Sequence, residues 1–159
     1  MRPTILALDL EGTLISNAVS QIPRPGLWSF LERAQASFQQ LVMFTAVARP
    51  VARRVAALLS DEGFAPLWFR DIPYIDWTGS TKDLRFVSPI LGETLLLDDY
   101  ISYVRADQRA FWIEVPAFEP PYSPSDAGLE IALSRIEARV LQLVSPVDQL
   151  THDAPNKDI

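Results

Sequence analysis

Three short apolar runs, each stopped by a polar residue, constrain this chain most. Ile5 to Leu8 ends at Asp9, Leu41 to Phe44 ends at Thr45, and Thr94 to Leu97 ends at Asp98-Asp99. Runs that are apolar without alternation read as strands covered on both faces, the habit of parallel sheets. Parallel strands share one carboxyl edge, and α/β proteins place their sites at that edge. The polar tips are therefore expected to converge although they lie far apart in sequence.

Helical patterns separate the runs. Leu27, Leu31, Ala34 and Phe38 form one stripe, and Pro25 suits a first turn, so a helix is expected from Pro25 to Gln39. Pro50 opens a second, with Val51, Val55, Leu58 and Leu59 inward and Gly63 as its stop. Leu129, Leu133, Ile136, Val140 and Leu143 mark a last helix, with Ser123 to Asp126 resembling a capping box before it. Two further strands are expected, at Pro66 to Phe69 and Ala110 to Val115, giving five in all. Ser80 or Thr81 caps an expected helix start carrying Lys82 and Asp83. The aromatic stretch from Arg70 to Gly79 either walls a cleft or covers the sheet edge. Arg49, near the second strand tip, is a candidate for anion contact. The expected organisation is one catalytic domain over residues 1–144 and a loose polar tail over 145–159.

Composition excludes much chemistry. The chain of 159 residues has no cysteine, and its one histidine, His152, lies in the polar tail. Thiolate metal sites, a Cys nucleophile and a His-dependent triad are thus set aside. With 14 basic against 20 acidic residues the net charge is −6, which disfavours broad nucleic-acid binding. The Met-Arg-Pro-Thr start is not a signal pattern and no run is long enough for a membrane span, so a cytoplasmic location is the default expectation.

What remains is carboxylates, one hydroxyl and one ammonium: Asp9, Glu11, Asp98, Asp99, Thr45 and Lys82. Carboxylates hold Mg²⁺, which keeps several waters and is often shared with a substrate phosphate. The hydroxyl and ammonium suit the phosphoryl oxygens.

Asp9-Leu10-Glu11-Gly12-Thr13-Leu14 resembles motif I of the haloacid dehalogenase (HAD) superfamily, whose phosphatase form is Asp-x-Asp-Gly-Thr. Thr45, Lys82 and Asp98-Asp99 match motifs II, III and IV in order. Arg24-Pro25-Gly26, Phe30-Leu31, Val42 to Ala46, Phe69-Arg70 and Lys82-Asp83-Leu84 look closest to the NLI-interacting-factor (NIF) type. These are the FCP/SCP-like phosphatases that act on phosphoserine in the polymerase C-terminal repeat. The resemblance covers roughly residues 4 to 143. It implies a Rossmannoid three-layer sandwich with a mostly parallel five-stranded sheet and a minimal cap. It implies a Mg²⁺-dependent hydrolase in which Asp9 is the nucleophile and Glu11 the acid and base. Thr45 and Lys82 then stabilise the transferring group. Asp9, the Glu11 carbonyl, Asp98 and Asp99 hold the metal. Gly12, Thr13, Thr45, Ala46, Lys82 and Arg70 bind substrate, either a phosphopeptide or a small phosphate ester.

Two departures from the family pattern stand out. Glu11 replaces an aspartate and is one methylene longer. The span from Asp9 to Thr45 leaves little room for the inserted flap, so a lightly capped site is expected. A silenced HAD-fold binding module and a nucleotide or small-metabolite phosphatase are the alternatives.

Overall fold

The computed structural model describes residues 1–145. It has four strands and three α-helices: β1 (Ile5–Leu8), α1 (Leu27–Ser37), β2 (Gln40–Met43), α2 (Arg49–Asp61), β3 (Thr94–Asp98), β4 (Trp112–Glu114) and α3 (Gly128–Val144). The strands form one parallel sheet in the order β2-β1-β3-β4. The register sets Leu8 level with Met43 on one side and Leu97 on the other. Asp9 therefore leaves its strand beside Asp98, one residue before Thr45 in the β2 register.

Strand side chains alternate between faces, and the two faces are covered differently. Leu6, Leu8, Leu41, Met43, Leu95 and Leu97 share one buried cluster with the apolar stripes of all three α-helices. Ala7, Val42, Leu96 and Phe44 face the other side, against Leu84, Val104, Ile75 and Trp77. That third layer is made of 3-10 turns and loops rather than α-helices. The small side chains of Ala7 and Val42 let it lie close.

The expected strand at Pro66 to Phe69 is absent. Leu67–Asp71 forms a 3-10 helix instead, with the Phe69 amide donating to the Pro66 carbonyl. Phe69 is buried in the helical core cluster and Ser60 donates to the Pro66 carbonyl, so the segment folds onto the end of α2 rather than the sheet. Among the described residues, the edge of β2 is met by a single bridge, Met43 to Tyr74. The sheet therefore has four strands and not five. The last expected strand is also shorter, because Ala106–Phe111 winds into a 3-10 helix before β4.

Boundaries moved for local reasons. Gly26 sits at φ 80, a left-handed conformation, so α1 begins at Leu27 and not Pro25. The inner face of α2 is Ala52, Val55, Ala56 and Leu59, while Leu58 is exposed. The N-cap of α3 is Ala127 and not Ser123, with Asp126 just before it accepting from the Gly128 amide. After Lys82, Asp83 accepts from the Arg85 amide and caps a 3-10 turn, Leu84–Phe86, where Ser80 or Thr81 was expected to cap a longer helix. Apart from Ser145, the expected tail at 145–159 lies outside the described residues. Among the described residues, no helix is long and apolar enough to cross a membrane.

Candidate active site

Two of the three strand tips, those of β1 and β3, meet around one buried ammonium. Lys82 is fully buried and donates to Asp9 Oδ1 at 2.8 Å and Asp98 Oδ2 at 2.5 Å. Its own amide donates to the Tyr103 carbonyl at 2.7 Å, a bridge that fixes where the side chain enters. The following turn is pinned by buried Gln108, which accepts from the Leu84 amide and donates to Asp83. Asp98 takes a further bond from the Tyr100 amide at 2.9 Å.

Thr13, also fully buried, sits between two carboxylates. Its hydroxyl lies 2.9 Å from Asp9 Oδ2 and 3.1 Å from Asp99 Oδ1. One hydroxyl proton serves both, so two carboxylate oxygens are held close with little neutralisation. Gly12 makes room for this. At φ 74 it takes the left-handed turn, and a Cβ there would fall 2.5 Å from Asp99 Oδ2.

The electrostatics follow. Burial pushes the Asp98 carboxyl up and the Asp9 charge adds to the rise; Lys82 offsets part of it, leaving the group at about 6. Burial, then the charges of Asp9 and Asp98, lift Asp99 to about 7. Burial pulls the Lys82 ammonium down, but Asp9 and Asp98 outweigh it and hold it above the ordinary lysine value. One cation thus faces three carboxylates. Excess negative charge held in a buried cluster is what a divalent cation relieves.

The donor set fits a hard cation. Asp9, Asp98 and Asp99 each offer an oxygen within 4.8 Å of the others. Opposite ligands of a Mg²⁺ octahedron lie about 4.2 Å apart, so closing on the ion needs only small side-chain shifts.

The raised carboxyls have a measurable consequence. Between the unfolded value of about 3.9 and the folded values of about 6 and 7, the folded state binds protons that the unfolded chain has lost. Stability without metal therefore falls as pH rises through that window. Mg²⁺ is expected to raise the Tm more at about pH 8 than at about pH 5.5, as read by thermal unfolding. Equal increments at both pH values, or none at the higher one, would count against a cation site.

Not every expected residue joins this cluster. Glu11 does not lie beside Asp9, because the chain turns at Leu10, whose carbonyl accepts from the amides of Thr13, Leu14 and Ile15. The Glu11 side chain is exposed, and its Oε2 accepts from the Ala18 amide at 2.6 Å. Thr45 is buried at the rim, where its hydroxyl accepts from the Val47 amide at 3.1 Å. Thr45 and Ala46 line an open cleft of about 400 Å³ with Tyr74, Asp76, Trp77, Gly79, Ser80 and Tyr103. So the aromatic stretch does both of its expected jobs: Tyr74 meets the sheet edge, and Tyr74 and Trp77 wall a cleft. Arg70 is elsewhere. It pairs with Asp61 at the far end of α2, whose 13 residues span about 20 Å from the end nearest Thr45. Arg49 is already paired with Asp76 at 2.5 Å, over the Tyr74 ring.

Arg24 has a role that its place in the family motif does not expose. Its guanidinium is fully buried and donates to Pro116 O at 2.6 Å, Asp126 Oδ1 at 2.7 Å, Thr13 O at 3.2 Å and Gly12 O at 3.3 Å. It thereby ties the carbonyls of the loop after Asp9 to the start of α3. Gly128 has no side chain because a Cβ there would lie 1.8 Å from that guanidinium. The sequence signal was slight: an arginine before Pro-Gly, with its carboxylate partner 102 residues away.

Comparison with known proteins agrees with the geometry. The chain matches the fission yeast RNA polymerase II CTD phosphatase Fcp1, solved as a variant bound to beryllium fluoride, with a TM-score of 0.55 and 19% identity. The match covers 88% of this chain and 51% of that one, so this chain spans about half of that protein's length. At that identity the likeness establishes the HAD-like fold. No curated protein sequence matches significantly. The profile of the NLI interacting factor-like phosphatases matches residues 4–147, which takes in every group described around Lys82. The chain belongs to the NLI interacting factor-like phosphatase family.

Proposed function

We propose that this protein is a Mg²⁺-dependent phosphatase that hydrolyses a phosphate monoester through an aspartyl-phosphate on Asp9. The observation that carries this reading is the buried arrangement of Asp9, Asp98 and Asp99 around Lys82. Asp9 has one oxygen on Lys82 and the other on Thr13. Both bonds fix the carboxylate's plane, which favours in-line attack on phosphorus. Lys82, bonded to Asp9, and Thr45, at the neighbouring strand tip, stabilise charge on the transferring group, and in phosphoryl transfer most of the catalysis lies in such stabilisation. Asp9, Asp98, Asp99 and the Glu11 carbonyl hold Mg²⁺, which when bound offsets the repulsion between carboxylates and phosphate. Glu11 gives and takes the proton, and does so by leaving the Ala18 amide. Gly12, Thr13 and Ala46 shape the phosphate end of the site.

The test is release of phosphate from a generic aryl phosphate with and without Mg²⁺. Turnover that requires the metal is the expected result. Absence of Mg²⁺-dependent release sinks the proposal.

The position of Glu11, exposed and outside the carboxylate cluster, also favours a second reading, a silenced member that binds without turnover. Mg²⁺ binding without hydrolysis, with activity gained in Glu11→Asp, is what that reading predicts.

A further inference from the structure

The cleft beside Thr45 says which ester fits. Its walls are Tyr74, Trp77 and Tyr103, all half-buried. Their polar atoms are largely spent inside the protein. Trp77 Nε1 donates to the Thr45 carbonyl at 2.9 Å and Tyr74 donates to the Val47 carbonyl at 2.5 Å. The rings are braced edge to face, Trp77 against Phe44 at 5.7 Å and against Tyr103 at 6.2 Å. What they offer an occupant is therefore π surface with few free donors. The wall begins at the phosphate end of the site, since Lys82 Nζ lies 5.1 Å from the Tyr103 ring centre. The polar groups on the cleft are the Thr45 hydroxyl, the Tyr103 phenol, and the exposed Asp76 and Ser80.

We infer that the substituent of the phosphate ester lying in this cleft is an aromatic ring, so the preferred substrate is an aryl phosphate such as a tyrosyl phosphate. The inference rests on the phosphatase reading and narrows it. In a seryl ester a single methylene separates the phosphate from the peptide backbone. Its amides would enter the aromatic cleft without partners, which carries a desolvation cost. In a tyrosyl ester the ring fills the cleft in the offset or edge-on contacts aromatic pairs prefer, and the backbone stays at the polar rim.

The placement of Glu11 points the same way. Its carboxylate is engaged by the Ala18 amide, away from the cluster. A seryl alkoxide is a poor leaving group, since an alcohol is about as weak an acid as water. A phenol, at about 10, leaves as the anion with little help. In the step, an Asp9 oxygen bonds to phosphorus as the phenolic oxygen–phosphorus bond breaks. The phenolate carries off the electron pair without waiting for the proton that Glu11 then supplies. A water that passes a proton to Glu11 attacks phosphorus and breaks the Asp9 oxygen–phosphorus bond, giving inorganic phosphate and the free Asp9 carboxylate.

The experiment compares four esters on the full chain with Mg²⁺: phosphotyrosine, a phosphotyrosyl peptide, phosphoserine, and a phosphoseryl peptide with the same flanks. The tyrosyl esters are expected to show kcat/KM at least about tenfold above their seryl counterparts. A further gain of the tyrosyl peptide over free phosphotyrosine marks a protein substrate, and parity marks a small aryl phosphate. Tyr103→Leu keeps bulk but removes a ring, and it is expected to raise KM several-fold more for tyrosyl than for seryl esters. A merely structural effect of that substitution would lower kcat for both alike. Equal kcat/KM for the two kinds, or a seryl preference, overturns this inference and leaves the phosphatase reading standing. No hydrolysis of any of the four overturns both.

Discussion

Asp9→Asn is expected to abolish phosphate release, lowering kcat by at least about 10⁴-fold, while leaving the protein folded. An amide has no carboxylate oxygen to bond to phosphorus, so the first step has no acceptor. The shape survives. The asparagine oxygen still accepts from Lys82, now held at 2.8 Å. Its NH₂ can donate to the Thr13 hydroxyl, which then donates only to Asp99, now 3.1 Å away. The substitution also removes the charge that helps raise Asp98 and Asp99. The variant's Tm without metal should therefore equal or exceed that of the parent. Loss of activity together with a retained or raised Tm separates a missing nucleophile from a broken fold. Full activity in Asp9→Asn would falsify the proposed mechanism.

Lys82→Met should damage both stability and activity. The side chain fits methionine's bulk, but the ammonium is fully buried between two carboxylates. Its removal leaves Asp9 and Asp98 facing each other with no cation, and breaking a buried ion pair costs about 3–5 kcal/mol. For a chain of this size each kcal/mol moves the Tm by about 2–4 °C, so a drop of roughly 10 °C is expected at about pH 8. The deficit should shrink on acidification. Without Lys82, Asp98 binds a proton even more readily in the folded state, so stability is lost as pH rises. Added Mg²⁺ should restore part of the Tm. Thermal scans at two pH values, with and without metal, check all three statements. A Tm unchanged at about pH 8 would mean that the ammonium is not the cluster's main source of compensation.

How far the sequence foretold this molecule depends on the kind of signal. The apolar runs at Ile5, Leu41 and Thr94 became β1, β2 and β3, since a strand buried on both faces has no alternative but to be apolar. Their polar tips came together for the same reason, because parallel register leaves the ends of neighbouring strands level. Pro66 to Phe69 looked like another such run, but its neighbour turned out to be α2 and not the sheet, and four apolar residues do not distinguish those partners. Asp9 and Glu11, two residues apart, would face one way if the strand ran on through both. The turn at Leu10 ended that periodicity one residue too soon. Arg70 fits a motif in sequence, yet the length of α2 carries it away from Thr45. Arg24 and Gln108 act largely through backbone carbonyls and amides, which every residue carries, so the side-chain pattern that put Arg24 in a family motif did not reveal either role.

The Arg24 clamp has a consequence for how the chain matures. The loop after Asp9 is among the first segments to be synthesised, yet it is held by a guanidinium whose carboxylate partner lies 102 residues further on. Helix α1 and the β1–β2 pair close early through short-range contacts, whereas this contact must wait for Asp126 and the start of α3. The nucleophile is thus made early and armed late. A nascent chain that stops short of Asp126 carries Asp9, Lys82, Asp98 and Asp99, but lacks the carboxylate that anchors Arg24.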